Sequence, residues 1–301
     1  MAKQSLATRA TKPLVLTKLM LVGRRTALGA RTPREAGLQY EDISFPATDG
    51  VKLKGWFIPK EGNGGPGPVV AFVHGWLWNR LGNVEGRVPF QDRGVDFLPA
   101  AKALHDAGYH VLLFDVRHHG ESGRGRAPLT YGPRETRDYI GAVNYLRGRA
   151  DVDGERIGAV GTSMGGNIII MGTSQCQPIK ALLAIQPTKL HTFNTNFARD
   201  ELGPLGPASL APIDWMYALM RLPRPTKHDP GLAAPELDGT VVQYVQGTGD
   251  PWGTMEIIDG FAAATPNALP VVRFPSAGRY EGYRYVSERV DDVVGFFREH
   301  L

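Results

Sequence analysis

A chain of 301 residues, 42% hydrophobic and 21% charged, is sized for one large or two small globular domains. Its net charge of +4 is uneven: residues 1–39 hold eight Lys or Arg against one acid, net +7, and the remainder is net −3. The basic character thus belongs to an N-terminal arm, and no nucleic-acid binding is read into the body at 40–301. Cys176, the single cysteine, excludes an internal disulfide framework and leans the reading toward the cytoplasm. The eight histidines contain no H-x-x-x-H pair, and adjacent His118 and His119 point in different directions, so no metal site is expected.

Within the arm, Leu14 to Val22 is apolar but interrupted by Lys18. It is too short to span a bilayer and makes a poor signal peptide. As a helix it suits packing on its own body, contact with another protein, or a position on anionic lipid, peripheral to the membrane, with Lys18 and Arg25 on one face. From residue 40 the order becomes regular. Tyr40–Phe45 and Val51–Ile58 alternate as antiparallel strands around Asp49-Gly50. Val69–Val73 is an unbroken apolar run, as in a central parallel strand. Further elements are a helix near 95–107, a strand at His110–Asp115, a helix near 133–149 and a strand at Arg156–Gly161, opened by the turn-like Asp151–Gly154. Strands at Ile179–Ile185 and Val241–Val245 follow, then a helix near 254–264, a strand at Pro270–Phe274 and a final helix near 283–299. Alternating strands and helices predict a mostly parallel, doubly wound α/β sheet. Residues 188–235 break the rhythm, with one short helix near Asp214–Met220. An insertion there forms a small cap whose apolar face either lines a pocket or packs as its own core.

Gly161-Thr162-Ser163-Met164-Gly165 matches G-x-S-x-G between a buried strand and an apolar helix. That context, more than the pattern, makes Ser163 a candidate nucleophile, because a sharp strand-to-helix turn exposes its Oγ at the carboxyl edge of the sheet. Two further motifs stand in order before it: His74-Gly75-Trp76, and Asp115-Val116-Arg117-His118-His119-Gly120-Glu121-Ser122. Together the three resemble the α/β-hydrolase superfamily, in particular its serine aminopeptidase-like and dipeptidyl-peptidase-like esterase branches, over about residues 40–301. The resemblance implies the α/β-hydrolase fold, no cofactor, and a small-molecule acyl substrate (ester, thioester or amide) or ligand. It implies an oxyanion hole from the backbone N–H groups of Trp76 and Met164, donors fixed before charge develops on the carbonyl oxygen. It places the triad acid at Asp250, in Gly247-Thr248-Gly249-Asp250-Pro251-Trp252. His74 and His119 read as residues that order their turns.

The resemblance fails at one position. Its histidine is expected at Gly278 or Arg279, in Pro275-Ser276-Ala277-Gly278-Arg279-Tyr280-Glu281-Gly282-Tyr283. Glycine has no side chain and arginine stays protonated, so neither accepts the serine proton. Removing such a base costs roughly a millionfold in turnover, about 8 kcal/mol. Three readings stay open. Another imidazole (His191, His228 or His118, with His300 too distant) substitutes. The protein is a non-hydrolytic relative that binds a ligand or partner, Arg279 pairing with Asp250. Or Ser163 acts weakly, with Arg279 stabilising an anion and Glu281 a poor base.

Overall fold

The computed structural model describes residues 6–60, 62, 65–176 and 178–301, with side chains from Lys12 onward. Helix α1 spans Leu6–Val22. Strands β1 (Glu41–Pro46) and β2 (Lys52–Ile58) pair antiparallel from Glu41↔Phe57 to Pro46↔Lys52. Strand β3 is Gly67–Val73, and a two-residue ribbon, β4 (Gly82–Asn83) and β5 (Val95–Asp96), precedes helix α2, Leu98–Asp106. Then come β6 (His110–Phe114), α3 (Thr136–Arg147), β7 (Val152–Thr162), α4 (Met164–Thr173) and β8 (Ala181–Ile185). The cap holds α5 (Leu190–Leu202), α6 (Leu210–Leu219) and three short 3-10 turns. The chain ends with β9 (Val241–Gly247), α7 (Met255–Ala264), β10 (Val272–Phe274), α8 (Arg279–Tyr283), α9 (Tyr285–Glu288) and α10 (Val290–His300).

Eight strands form one sheet in the order β1-β2-β6-β3-β7-β8-β9-β10. From β6 to β10 every pairing is parallel. The reason lies in the runs themselves: every residue of β3, β6 and β8 is buried, which suits strands covered by helices on both faces. Helix α3 packs on α4 and α2 on α10, supplying that cover. The loops at the carboxyl ends of β3, β7, β8, β9 and β10 therefore gather along one edge.

Three local readings differ from the sequence expectation. Asp153 and Gly154 look turn-like yet belong to β7, because Val152 pairs with Gly67 across a register shift at Gly67/Val69. The last helix is broken into α8, α9 and α10, which lets Arg279, Tyr280 and Tyr283 turn inward while Val293 and Phe297 still reach the core. Helix α5 was not expected, since His191-Thr192-Phe193-Asn194-Thr195-Asn196 has poor helix propensity. Its buried Leu190, Asn194, Phe197 and Ala198 recur at helical spacing, so tertiary packing decides its state.

The arm is not detached. Leu16 and Met20 are buried, and the backbone carbonyls at the end of α1 are used by the body. Leu19 O accepts from Trp76 Nε1 at 3.2 Å, Met20 O from Tyr131 OH at 2.8 Å, and Leu21 O from Leu129 N at 2.9 Å. The last carbonyls of a helix lack intrahelical partners, and these contacts supply them for Met20 and Leu21; Leu19 O also accepts from Gly23 N at 3.0 Å.

Candidate active site

Between Thr162, the last residue of β7, and Met164, the first of α4, Ser163 stands alone with φ 54° and ψ −118°. A residue with a side chain occupies such a region only where its surroundings force it. The forcing comes from close backbone approach: a Cβ on Gly165 would sit 1.9 Å from Val73 O, and one on Gly161 would sit 2.5 Å from Gly165 O. Ser163 N donates to Ile185 O at 2.9 Å, and Asn167 N donates to Ser163 O at 3.1 Å. The turn is thus pinned on both sides, and Oγ faces a cavity.

Ser163, Met164 and Trp76 all line that cavity, as does Arg279. Met164 opens α4, so its N–H lacks an intrahelical acceptor. Asp250 and Arg279 meet as an ion pair through Oδ2 and Nη1, with side chains 0% and 1% exposed. Asp250 Oδ1 also accepts from Trp252 N at 2.9 Å, and Oδ2 from Gln246 Nε2 at 3.0 Å. Arg279 Nη2 donates to Gln186 O at 3.0 Å and reaches Ser163 Oγ at 3.5 Å, while Nε donates to Tyr283 OH at 2.5 Å. The sequence pairing of Arg279 with Asp250 is therefore present in the geometry.

Electrostatics keep these groups from accepting a proton. Burial works against the Arg279 charge, but the Asp250 carboxylate and the Tyr283 hydroxyl outweigh it and raise its pKa above the ordinary arginine value. Tyr283, whose hydroxyl accepts from Arg279 Nε, is pushed up to about 12 by burial and stays a phenol at neutral pH. Glu281 turns toward Arg93, 3.4 Å away. Gly278 lies in extended backbone just before α8.

The histidines lie elsewhere: among the described residues none lines the cavity. His74 Nε2 accepts from Val116 N at 3.0 Å, and His119 Nδ1 contacts Arg117 O at 2.8 Å; burial lowers the pKa of both. His228 lies against Tyr131 O at 3.0 Å, its pKa pulled by burial to about 4. His191 is on the exposed side of α5, His118 is buried beside Gly23, and His300 lies next to Glu299 at the end of α10. The Asp115–Ser122 motif is structural: Asp115 binds Arg80 through N, Nε and Nη2 at 2.7–3.0 Å, and Ser122 Oγ donates to Asp115 O at 2.6 Å.

Above this floor the walls are aromatic. Phe197 meets Trp252 edge-on at 4.9 Å and Phe90 at 5.1 Å, and stacks on Phe193 at 5.6 Å. Phe193 also lies 4.9 Å from the Arg279 guanidinium carbon. The polar tips point outward: Trp76 Nε1 and Tyr131 OH bond α1, and Trp252 Nε1 bonds Asp200 at 3.1 Å. What remains inside is mainly aromatic surface, with Met164 and Leu190 beside it and Ser163, Asn167, Thr188 and Arg279 among its polar residues; Thr188 Oγ1 is buried without a hydrogen-bond partner among the described residues. The cavity's free volume is about 520 Å3, part of it open to solvent. Phe90, Tyr131 and Tyr283 escaped the sequence reading; the i, i+4 pair Phe193/Phe197 was the available signal.

A family model described as "Alpha/beta hydrolase family" matches residues 70–294. The chain belongs to the alpha/beta hydrolase family. Among hydrolases of this family, the esterase Pf2001 of Pyrococcus furiosus superposes with a TM-score of 0.69 over 92% of this chain and 98% of that one, at 24% identity, a likeness of fold. Uncharacterized protein YfhR of Salmonella typhimurium is 33% identical over 145 residues, 48% of this chain and 43% of that one. The thiohydrolase aneE of Aspergillus aculeatus is 28% identical over 188 residues, 62% of this chain and 54% of that one. The matches thus span about half the length of these curated relatives.

Proposed function

We propose that this alpha/beta hydrolase binds an apolar acyl compound, aromatic or aliphatic, in the cavity above Ser163 and transfers its acyl group to Ser163 only slowly. One observation carries the reading: Arg279, a permanent cation, stands between Asp250 and Ser163, where an imidazole would be needed. In this reaction Ser163 Oγ attacks the carbonyl carbon of an ester, thioester or amide. The Oγ proton passes to water, since Arg279 and Tyr283 are both already protonated. The carbonyl electrons move onto oxygen, facing the amides of Trp76 and Met164. As the carbonyl re-forms the leaving group departs, taking a proton from solvent, and water then hydrolyses the acyl-Ser163 ester to release the acid and restore the hydroxyl. Arg279 Nη2 supplies positive charge near the developing oxyanion. Such a site retains oxyanion and binding contributions, roughly a thousand- to ten-thousandfold over water, without the base. The esterase and thiohydrolase relatives support acyl chemistry.

A purely ligand-binding role is the second reading, favoured by the saturation of Asp250, whose two oxygens already hold three donors. Labelling with a fluorophosphonate probe separates the two. Slow labelling that disappears in Ser163→Ala is expected for the slow hydrolase. No labelling of the native protein, or equal labelling of the variant, removes Ser163 as a nucleophile.

A further inference from the structure

Two helices outside the site, α1 and α6, each expose large apolar side chains. On the inner side Pro13, Leu16 and Met20 of α1 border the same apolar seam as Leu202, Leu210 and Ile213, so α1 lies alongside α6. Lys12 closes one end of this contact with an ion pair to Glu201 at 2.5 Å. The outer side of α1 presents Leu14 and Val15, and α6 and its end present Trp215, Leu219 and Met220. Leu205 joins them from the turn before α6, next to Leu202. Leu14, Leu205, Trp215 and Leu219 are each more than 70% exposed. Scattered surface leucines need no explanation, but a tryptophan and several large aliphatics on adjacent helices mark an interaction face.

Charge selects the partner. Residues 12–25 hold four Lys or Arg and no acid, and residues 203–228 hold three Lys or Arg and one acid, Asp214. With Glu201, the partner of Lys12, counted among them, these segments are net +5 in a chain of net +4, leaving the rest net −1. Lys18, Arg221 and Lys227 are exposed among them. A second copy of the chain would set one such positive face against another. Among the described residues no helix is long and apolar enough to cross a membrane, so a bilayer would be met at its surface. We propose that this face of α1 and α6 is an interfacial membrane-binding surface for anionic lipid. Trp215, Leu219 and Leu14 enter the headgroup–acyl boundary, and Lys18, Arg221 and Lys227 lie among the headgroups. Helix α5 separates this face from the cavity, with Phe197 bordering both the cavity and the seam. Docking does not depend on whether Ser163 turns over.

The test is flotation of the full chain with vesicles of phosphatidylcholine alone and with about a third phosphatidylglycerol added. Binding to the anionic vesicles is expected, lowered about tenfold or more by raised salt and by the double variant Lys18→Glu/Arg221→Glu. The pair Trp215→Ser/Leu219→Ser is expected to lower it similarly, with an unchanged melting temperature because these side chains touch mainly solvent. If that pair proves unfolded, the charge pair alone decides. No binding to anionic vesicles, or equal binding by the folded variants, overturns the proposal. So does equal binding to neutral vesicles. Self-association dissolved by the Trp215/Leu219 pair, or capture by polyglutamate, overturns it when vesicles stay unbound.

Discussion

The elbow and the start of α8 bring one residue each to the cavity floor by opposite means. At the elbow the backbone does the work. Ser163 is held at φ 54° by glycine approaches that leave no room for a Cβ, and its hydroxyl lies 3.5 Å from the Arg279 guanidinium. At α8 the side chain does the work. Arg279 opens an ordinary helical turn, while its guanidinium is saturated by Asp250, Gln186 O and Tyr283. Strain presents a reactive group; a buried ion pair immobilises one. The two devices meet on one cavity floor, where the strained serine and the buried ion pair stand 3.5 Å apart.

The largest effect expected from breaking this contrast is a gain. Arg279→His places an imidazole between Asp250 and Ser163, and a positioned general base contributes roughly a hundred- to ten-thousandfold. Hydrolysis of a short p-nitrophenyl ester by this variant, or by the companion Gly278→His, should rise by at least the lower figure, and the Ser163→Ala background should remove the gain. If neither histidine raises the rate, the missing base is not what limits the site.

The part of the floor that local chemistry determines was legible from residue order alone. Gly161 and Gly165 announce a turn too tight for side chains, and the strand and helix around them say where Ser163 points. The Arg279–Asp250 pair was legible only through the resemblance, which puts an acid at Asp250 and a histidine at Gly278 or Arg279, and it stood as one of three alternatives. The aromatic walls were not legible, because Phe90, Tyr131, Phe193 and Phe197 converge from separate segments through the packing of α1 and α5. The same holds for His191 and His228, both in the cap and both open as substitute bases. Helix α5 exposes the first, and the Tyr131 carbonyl holds the second. Even the division of the last helix follows from tertiary demand, since one continuous helix over 283–299 would not turn both Tyr283 and Phe297 inward.

A stability measurement sharpens the other half of the comparison. Removing one partner of a buried ion pair leaves an uncompensated charge and costs about 3–5 kcal/mol. Arg279→Met should destabilise the protein by that amount in urea unfolding, because Asp250 is fully buried and would lose its only guanidinium. Arg279→Met combined with Asp250→Leu should recover most of the loss, as apolar replacement of both partners removes the desolvated charge. Equal losses in the single and double variants would mean that packing around Phe193 and Tyr283, rather than charge, is what Arg279 supplies.

The smallest effect concerns the strain itself. A residue with a side chain held at positive φ stores about 1–3 kcal/mol, and glycine relieves most of it. Ser163→Gly should therefore be more stable than Ser163→Ala by about 1 kcal/mol, after allowance for the greater freedom of the unfolded glycine chain. The alanine variant is the correct reference, because it removes the same hydroxyl and its contact to Arg279 while keeping a Cβ in the strained turn. Equal stability of the two would locate the strain elsewhere, in the packing of Gly165 against Val73, and Ser163 would then sit at φ 54° without cost. A clear difference would mean that this fold still maintains an unfavourable backbone geometry for the sake of one exposed hydroxyl. Such maintenance is what a site that still uses Oγ, for slow acyl transfer or for holding a ligand, requires.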